Sequence, residues 1–297
     1  MKGTAQADAP EQREGAPRLC DAHVHVMDPG YPFAADRDYT PGPATADMLR
    51  RHLQLIGAER AVLVQASPYG TDNRAMLSAL ERLGPGVARG VAVVDSSVST
   101  AELRALRDAG VMGLRLNIPI ERLSGDALRR RFRALVAAAG PHGLSVSLHA
   151  RPEHLSFLAP DILAAEATVI VEHYALLNPQ RRREPGAVDT VMRLLSERHV
   201  WLKLCGINKI ATAPAWPEAR ELVQRFARLA PGRLVWGTDW PHTTPGSLRT
   251  ARSPHDVEPF QDIDDEAALR VTKDALPPAL VADVLGHNAT RLFGFAD

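Results

Sequence analysis

Short apolar runs rich in β-branched residues return eight times along this 297-residue chain, each separated from the next by a stretch of helical period. The runs fall near 18–25, 61–66, 88–94, 112–117, 144–149, 168–173, 200–205 and 233–238. The helical stretches fall near 45–57, 72–83, 100–109, 125–139, 153–165, 186–197, 216–230 and 264–275. Strand–helix alternation favours parallel pairing, because each crossover helix carries the chain back to the same end of the sheet. Eight such units can close on themselves, so the expected fold is α/β, a (β/α)8 TIM barrel. An open doubly wound sheet would place a glycine-rich phosphate turn after an early strand. Asp21-Ala-His-Val-His25 stands there instead.

Local signals support the helices. Asp72 or Thr71 is placed to cap the second, and Ser99 and Thr100 open the third, with Gly110 past its end. A small helical C-terminus, 277–294, is expected to close the outer ring. Residues 18–297 read as one catalytic barrel domain. Residues 1–17 carry Asp8, Pro10, Glu11, Arg13, Glu14 and Pro17 without an apolar core, and are expected to be a disordered tail. The stretch 241–263 carries Pro241, Pro245, Pro254 and Pro259 and is expected to lie over the barrel mouth as a lid.

Composition narrows the partners. Lys+Arg and Asp+Glu both number 35, and the zero net charge gives no basic balance for nucleic acid or an anionic membrane. No run of about 18 apolar residues predicts a membrane span. Cys20 and Cys205 are too few and too far apart for a disulfide framework, and a reducing cytoplasm fits them best. Arg181-Arg182-Arg183 reads as a solvated loop. Homo-oligomerisation is left open.

Barrel chemistry sits at the C-terminal ends of the strands. Those ends offer His23 and His25 from the first, Gln65, Ser67 and Tyr69 after the second, and Asp95 after the third. Arg115 and Asn117 close the fourth, His149 the fifth, Glu172 and His173 the sixth. Lys203 lies on the seventh, and Asp239 and His242 follow the eighth. Side chains at i and i+2 share a strand face, so Asp21, His23 and His25 are expected on one side, facing Asp239. Polar groups ending otherwise apolar strands are costly without partners or purpose. Imidazoles facing a carboxylate can activate water or hold a metal, and His23, His25, His149 and Asp239 form a candidate single-zinc set. Arg115 reads as an anion contact, with a salt bridge to Asp95 or Glu172 as the alternative. Asp95 reads as structural.

Several longer segments carry a family likeness. Tyr31-Pro-Phe-Ala-Ala-Asp-Arg-Asp-Tyr-Thr-Pro41, Val64-Gln-Ala-Ser-Pro-Tyr-Gly-Thr-Asp-Asn73 and Gly113-Leu-Arg-Leu-Asn117 are three of them. Lys203-Leu-Cys-Gly206, Trp236-Gly-Thr-Asp-Trp-Pro-His242 and Asn288-Ala-Thr-Arg-Leu-Phe-Gly-Phe295 are the others. Together they resemble the amidohydrolase superfamily, in its branch of 2-pyrone-4,6-dicarboxylate lactonase and sugar-acid lactonases, across about residues 18–295. The resemblance implies a distorted (β/α)8 barrel that hydrolyses a small anionic lactone. It implies Asp239 as general base, with His23, His25 and His173 polarising the carbonyl or holding water. It implies substrate contacts from Tyr39, Ser67 and Arg115; Tyr69, Asn117, His149, Lys203 and His242 are further candidates. Two departures stand out. Tyr174 follows His173 where the branch usually has a Gly-Arg pair, and after the seventh strand Lys209 is the nearest base. No metal is expected to be required, since the branch includes metal-free members; one zinc is the alternative. The competing readings are a zinc-dependent decarboxylase of an aromatic or muconate-type acid and a non-catalytic metabolite-binding barrel.

Overall fold

A computed structural model describes residues 18–178, 186–211 and 216–296. The N-terminal segment 1–17 and Arg181-Arg182-Arg183 lie outside the described residues. Eight parallel strands form the sheet: β1 Cys20–Val24, β2 Arg60–Val64, β3 Ala88–Ala92, β4 Val111–Asn117, β5 Ser145–His149, β6 Val169–Val171, β7 Val200–Cys205 and β8 Leu234–Gly237. They hydrogen-bond in sequence order. The ring closes where the chain leaves β8, through Asp239 N to His23 O at 2.9 Å and His25 N to Trp240 O at 2.8 Å. Eight helices alternate with the strands: α1 Ala46–Ile56, α2 Arg74–Leu83, α3 Thr100–Asp108, α4 Gly125–Ala139, α5 Pro152–Leu163, α6 Ala187–Ser196, α7 Arg220–Leu229 and α8 Asp265–Ala275.

The side-chain period of two divides each strand between two layers. Val24, Leu63, Leu114, Leu116, Leu148, Val171, Leu204 and Trp236 pack against Leu49, Leu53, Met76, Phe132, Leu158 and Phe226 of the helices. The intervening Cys20, Ala22, Val62, Val64, Val91, Ile170, Trp201 and Val235 fill the lower interior. The C-terminal helix α9 (Asn288–Phe293) joins that inner cluster through Ala289 and Phe293. It therefore plugs the barrel floor rather than closing the outer ring.

Strand β1 departs from simple alternation. Its register against β2 shifts between Asp21 and Val24, an irregularity that reverses which residues face the interior. Asp21 consequently does not share a face with His23. Its carboxylate accepts from the Thr238 backbone N at 2.9 Å and the Thr238 hydroxyl at 2.6 Å, outside the pocket.

Helix starts follow local chemistry. Ser99 and Glu102 form a reciprocal capping box at α3. Neither Asp72 nor Thr71 caps α2; the cap position is Asn73, and Asp72 grips Arg74 instead. Over the mouth, Val257–Glu258 pairs in parallel with Thr40–Pro41, so the 241–263 stretch is tied to the loop after β1. Among the described residues no helix is long and apolar enough to cross a membrane. Both cysteines are free and buried.

Candidate active site

Four side chains converge at the C-terminal end of the barrel. Asp239 Oδ1 lies 3.4 Å from His25 Nε2, 3.5 Å from His23 Nε2 and 3.9 Å from His173 Nε2. All four residues are buried. Backbone geometry makes room for them. A Cβ on Gly237 would sit 2.7 Å from the His23 backbone N, and one on Gly206 would sit 3.0 Å from Asp239 Cβ. At these two positions only a missing side chain lets the first, seventh and eighth strands crowd together.

Hydrogen bonds on the far ring nitrogens set the imidazoles. His25 Nδ1 is 2.8 Å from Val64 O and His173 Nδ1 is 3.2 Å from Cys205 O. A carbonyl only accepts, so both Nδ1 atoms carry the proton and both Nε2 lone pairs face Asp239. His23 differs. Lys203 Nζ lies 3.5 Å from its Nδ1, so an ammonium donates there and Nε2 carries the hydrogen. Burial pushes the His23 and His149 imidazoles well below the ordinary histidine range, and lowers His173 to about 4. At neutral pH these three rings are uncharged.

Lys209 completes the centre. It ends the short turn Ile207–Lys209 after β7, and its Nζ pairs with Asp239 Oδ2 at 2.8 Å. Burial alone would push the Asp239 carboxyl up. The Lys209 ammonium is the largest opposing influence, and the carboxyl is held well below the usual carboxylate range. Asp239 is ionised.

The other candidates divide. Arg115 donates to Glu172 Oε2 from Nε at 3.1 Å and Nη2 at 2.9 Å, with both residues buried. Its guanidinium thus takes the salt-bridge alternative to Glu172 and lies 3.3 Å from His149 Nδ1. Asn117 pairs in register with His149, and its buried Oδ1 has no hydrogen-bond partner. Tyr39 and Ser67 meet at the mouth, where the Tyr39 hydroxyl bonds the Ser67 and Thr243 side chains and Arg249 stacks over the ring at 4.2 Å.

Three expectations need correction. Tyr69 donates its hydroxyl to Asp28 O at 2.7 Å and stacks on Phe33, which fixes the loop after β1 and takes it away from the pocket. Lys203 is fully buried below the imidazoles, donates to Ala22 O at 2.9 Å and lies over the Phe293 ring, so it supports His23 instead of meeting a substrate. His242 donates from Nε2 to Asp265 at 2.9 Å, in the layer between barrel and helices. Lys209 was legible only as the nearest base after β7; its pairing with Asp239 had no signal in the sequence.

The set His23, His25, His149 and Asp239 also changes. Ligand atoms of His23, His25 and Asp239 lie within 4.8 Å of one another, whereas His149 groups with Glu172 and His173. Zinc–nitrogen bonds of about 2.0–2.1 Å place tetrahedral ligands about 3.4 Å apart. The Asp239 distances to His23 and His25 match that edge. The His25 Nε2 lone pair, held by a carbonyl behind it, suits a metal ligand, and His23 would offer its own only in the other tautomer, with the proton moved from Nε2 to Nδ1. The donor set fits one ion.

Uncharged buried imidazoles make stability depend on pH. The unfolded rings take up protons as pH falls through about 6.5, and the native His173 ring does so only near 4. The unfolded state binds more protons in that window, so stability present above pH 6.5 is lost as pH falls towards 4, by about 3 kcal/mol for His173 alone. Urea midpoints should be flat above about pH 7 and fall steadily below 6.5. A midpoint unchanged between pH 7 and 5 would show that the native rings take up protons over the same range as the unfolded ones.

A family model described as amidohydrolase matches residues 20–295. The 2-pyrone-4,6-dicarboxylate hydrolase of Comamonas testosteroni is 34% identical over 238 residues, 75% of this chain and 76% of that one. A 4-sulfomuconolactone hydrolase of Hydrogenophaga intermedia is 28% identical over 94% of this chain and 89% of its own. A crystal structure from Acinetobacter baumannii superposes with a TM-score of 0.77 at 27% identity, covering 94% of this chain and all of that one. That protein is provisionally named a 2-pyrone-4,6-dicarboxylic acid hydrolase and has citric acid bound.

Proposed function

This chain belongs to the amidohydrolase family, and from that premise we propose that it opens a small anionic lactone by hydrolysis, with Asp239 as general base. Relatives that hydrolyse a pyrone dicarboxylate and a sulfomuconolactone support the substrate class, and citric acid in the Acinetobacter structure supports a carboxylate-binding mouth. The observation that carries the reading is the Asp239 carboxylate, paired with the Lys209 ammonium at 2.8 Å and 3.4–3.9 Å from three imidazole Nε2 atoms.

The chain's own groups supply each step. A water between Asp239 Oδ1 and the Nε2 lone pairs of His25 and His173 donates a hydrogen bond to either side, which orients its oxygen outward. The lactone enters with its anionic group near Lys209 and the Tyr39–Ser67 mouth. Its carbonyl oxygen meets the His23 N–H. Asp239 takes one water proton as the oxygen bonds to the carbonyl carbon. His23 stabilises the oxyanion, a contribution of roughly 3–4 kcal/mol for one aimed donor. The ring C–O bond then breaks, and the proton held by Asp239 passes to the departing oxygen. Lys209 keeps Asp239 ionised between turnovers. A divalent ion, when bound by His23, His25 and Asp239, would polarise the carbonyl and acidify water. Lys209 and the His23 N–H already provide the positive charge and the donor, so no metal is required.

A panel of anionic lactones offered at neutral pH to chelated enzyme, followed by acid release, tests both parts. Turnover within about twofold of untreated enzyme is expected. Activity lost on chelation and restored by zinc would overturn the metal-free mechanism alone. Carbon dioxide release from an aromatic or muconate-type acid, without lactone opening, would replace the hydrolase with a decarboxylase. Saturable lactone binding with no turnover would leave a binding protein. Oligomeric state and residence in the cytoplasm remain parts of the proposal that size-exclusion chromatography and cell fractionation address.

A further inference from the structure

Asp239 is held in an unusual backbone conformation. Its φ is +73° and that of His242 is +68°, both left-handed without being glycine. For residues with a Cβ this conformation is strained, and it persists only where the surroundings fix it. The turn between them supplies the restraints. His242 N bonds back to Asp239 O at 3.0 Å, and Trp240 N bonds to the Thr238 hydroxyl at 2.9 Å.

The flanking side chains point away from the pocket into a second polar cluster. Thr238 reaches Asp21, and the Trp240 ring stacks on His52 with centroids 5.3 Å apart. His242 Nε2 donates to Asp265 Oδ2 at 2.9 Å. His52 stands between the two carboxylates, 3.6 Å from Asp21 Oδ2 and 3.8 Å from Asp265 Oδ2. Asp21, His52, Asp265 and His242 are all buried, and the cluster meets pocket residues through their backbone, His23 N donating to Asp21 Oδ1 at 3.2 Å and His242 N to Asp239 O at 3.0 Å. A cluster of two carboxylates and two imidazoles is expensive to bury, and the mechanism does not use it.

We propose that Asp265, acting through His242, is a positioning residue for the Asp239 carboxylate, and that His52 ties this anchor to Asp21 on β1. The strained turn is thus gripped at both ends. Thr238–Asp21 fixes its entry and His242–Asp265 fixes its exit. Displacing the exit lets residues 239–242 relax toward ordinary dihedrals, and the Asp239 carboxylate swings off the imidazoles. A misplacement of about 1 Å at a reacting group can cost about 100-fold in rate.

This inference rests on the hydrolase reading, so its test has an arm without substrate. Asp265→Ala should lower kcat by about 30- to 100-fold with KM within threefold. Asp265→Asn, which keeps an acceptor for His242, should lose less than fivefold. Crystal structures of the alanine variant and the unmodified protein should show the Asp239 carboxylate displaced by about 1 Å or more. If Asp265→Ala does not fold, His242→Phe removes the same bond while keeping a ring of similar shape, and the same readouts apply. An unmoved carboxylate overturns the proposal whether or not a substrate is found. So does an unchanged kcat with only a lowered Tm. Absence of turnover in the unmodified enzyme refutes the hydrolase reading and leaves the crystallographic arm to decide this one.

Discussion

Asp239→Asn should lower kcat on any turned-over lactone by about 10³- to 10⁴-fold while leaving the folded protein intact. The amide matches the carboxylate in shape, so the three imidazoles keep their neighbour. It does not accept a proton, so water is no longer activated at Oδ1. The change also removes the partner of Lys209, whose side chain is 14% exposed and can turn toward solvent, so the stability cost is small. Two measurements check this: steady-state kinetics, and a thermal melt compared with the unmodified protein. Residual activity above about a tenth would remove Asp239 from the role of base. The alternative would then be a base among the imidazoles, whose lone pairs at His25 and His173 face the same water position.

Arg115→Met should be the most destabilising single change in the centre. Glu172 is fully buried, and Arg115 supplies both of its close hydrogen bonds. Lys203 contributes to holding Glu172 ionised, yet against its burial Arg115 is the largest favourable influence. Breaking a buried pair by removing one partner costs about 3–5 kcal/mol, because the remaining charge is left uncompensated. A chain of this size should then lose roughly 10 °C in Tm. Replacing both partners, as Arg115→Met with Glu172→Leu, should recover most of that loss. A stable Arg115→Met protein whose only defect is a raised KM would instead return Arg115 to the anion-contact role read from its place on β4.

Much of the fold was written in periodicity. Eight apolar runs and eight helical stretches identified the barrel, and strand ends gave His23, His25, His173 and Asp239 as a convergent group. What escaped was pairing between side chains distant in sequence. The Arg115 bond to Glu172 spans 57 residues, and period alone leaves it one alternative among several. Asp21 escaped because i, i+2 alternation assumes an even strand, and β1 is not even. His242 escaped for a related reason. Left-handed backbone at 239 and 242 turns the chain, so counting from β8 no longer tells which way a side chain faces. Tyr69 lies in a short turn where strand logic has already ended.

The uneven stretch in β1 has a bearing on protein engineering. The same Asp-x-His-x-His letters copied onto a strand of regular pleat would keep all three side chains on one face, so the aspartate would crowd into the cavity beside the rings or both rings would turn toward the helices with it. The transplant succeeds only if the extra residue travels with it. In this scaffold, then, the heritable unit of the catalytic feature is a backbone defect together with the side chains it aims.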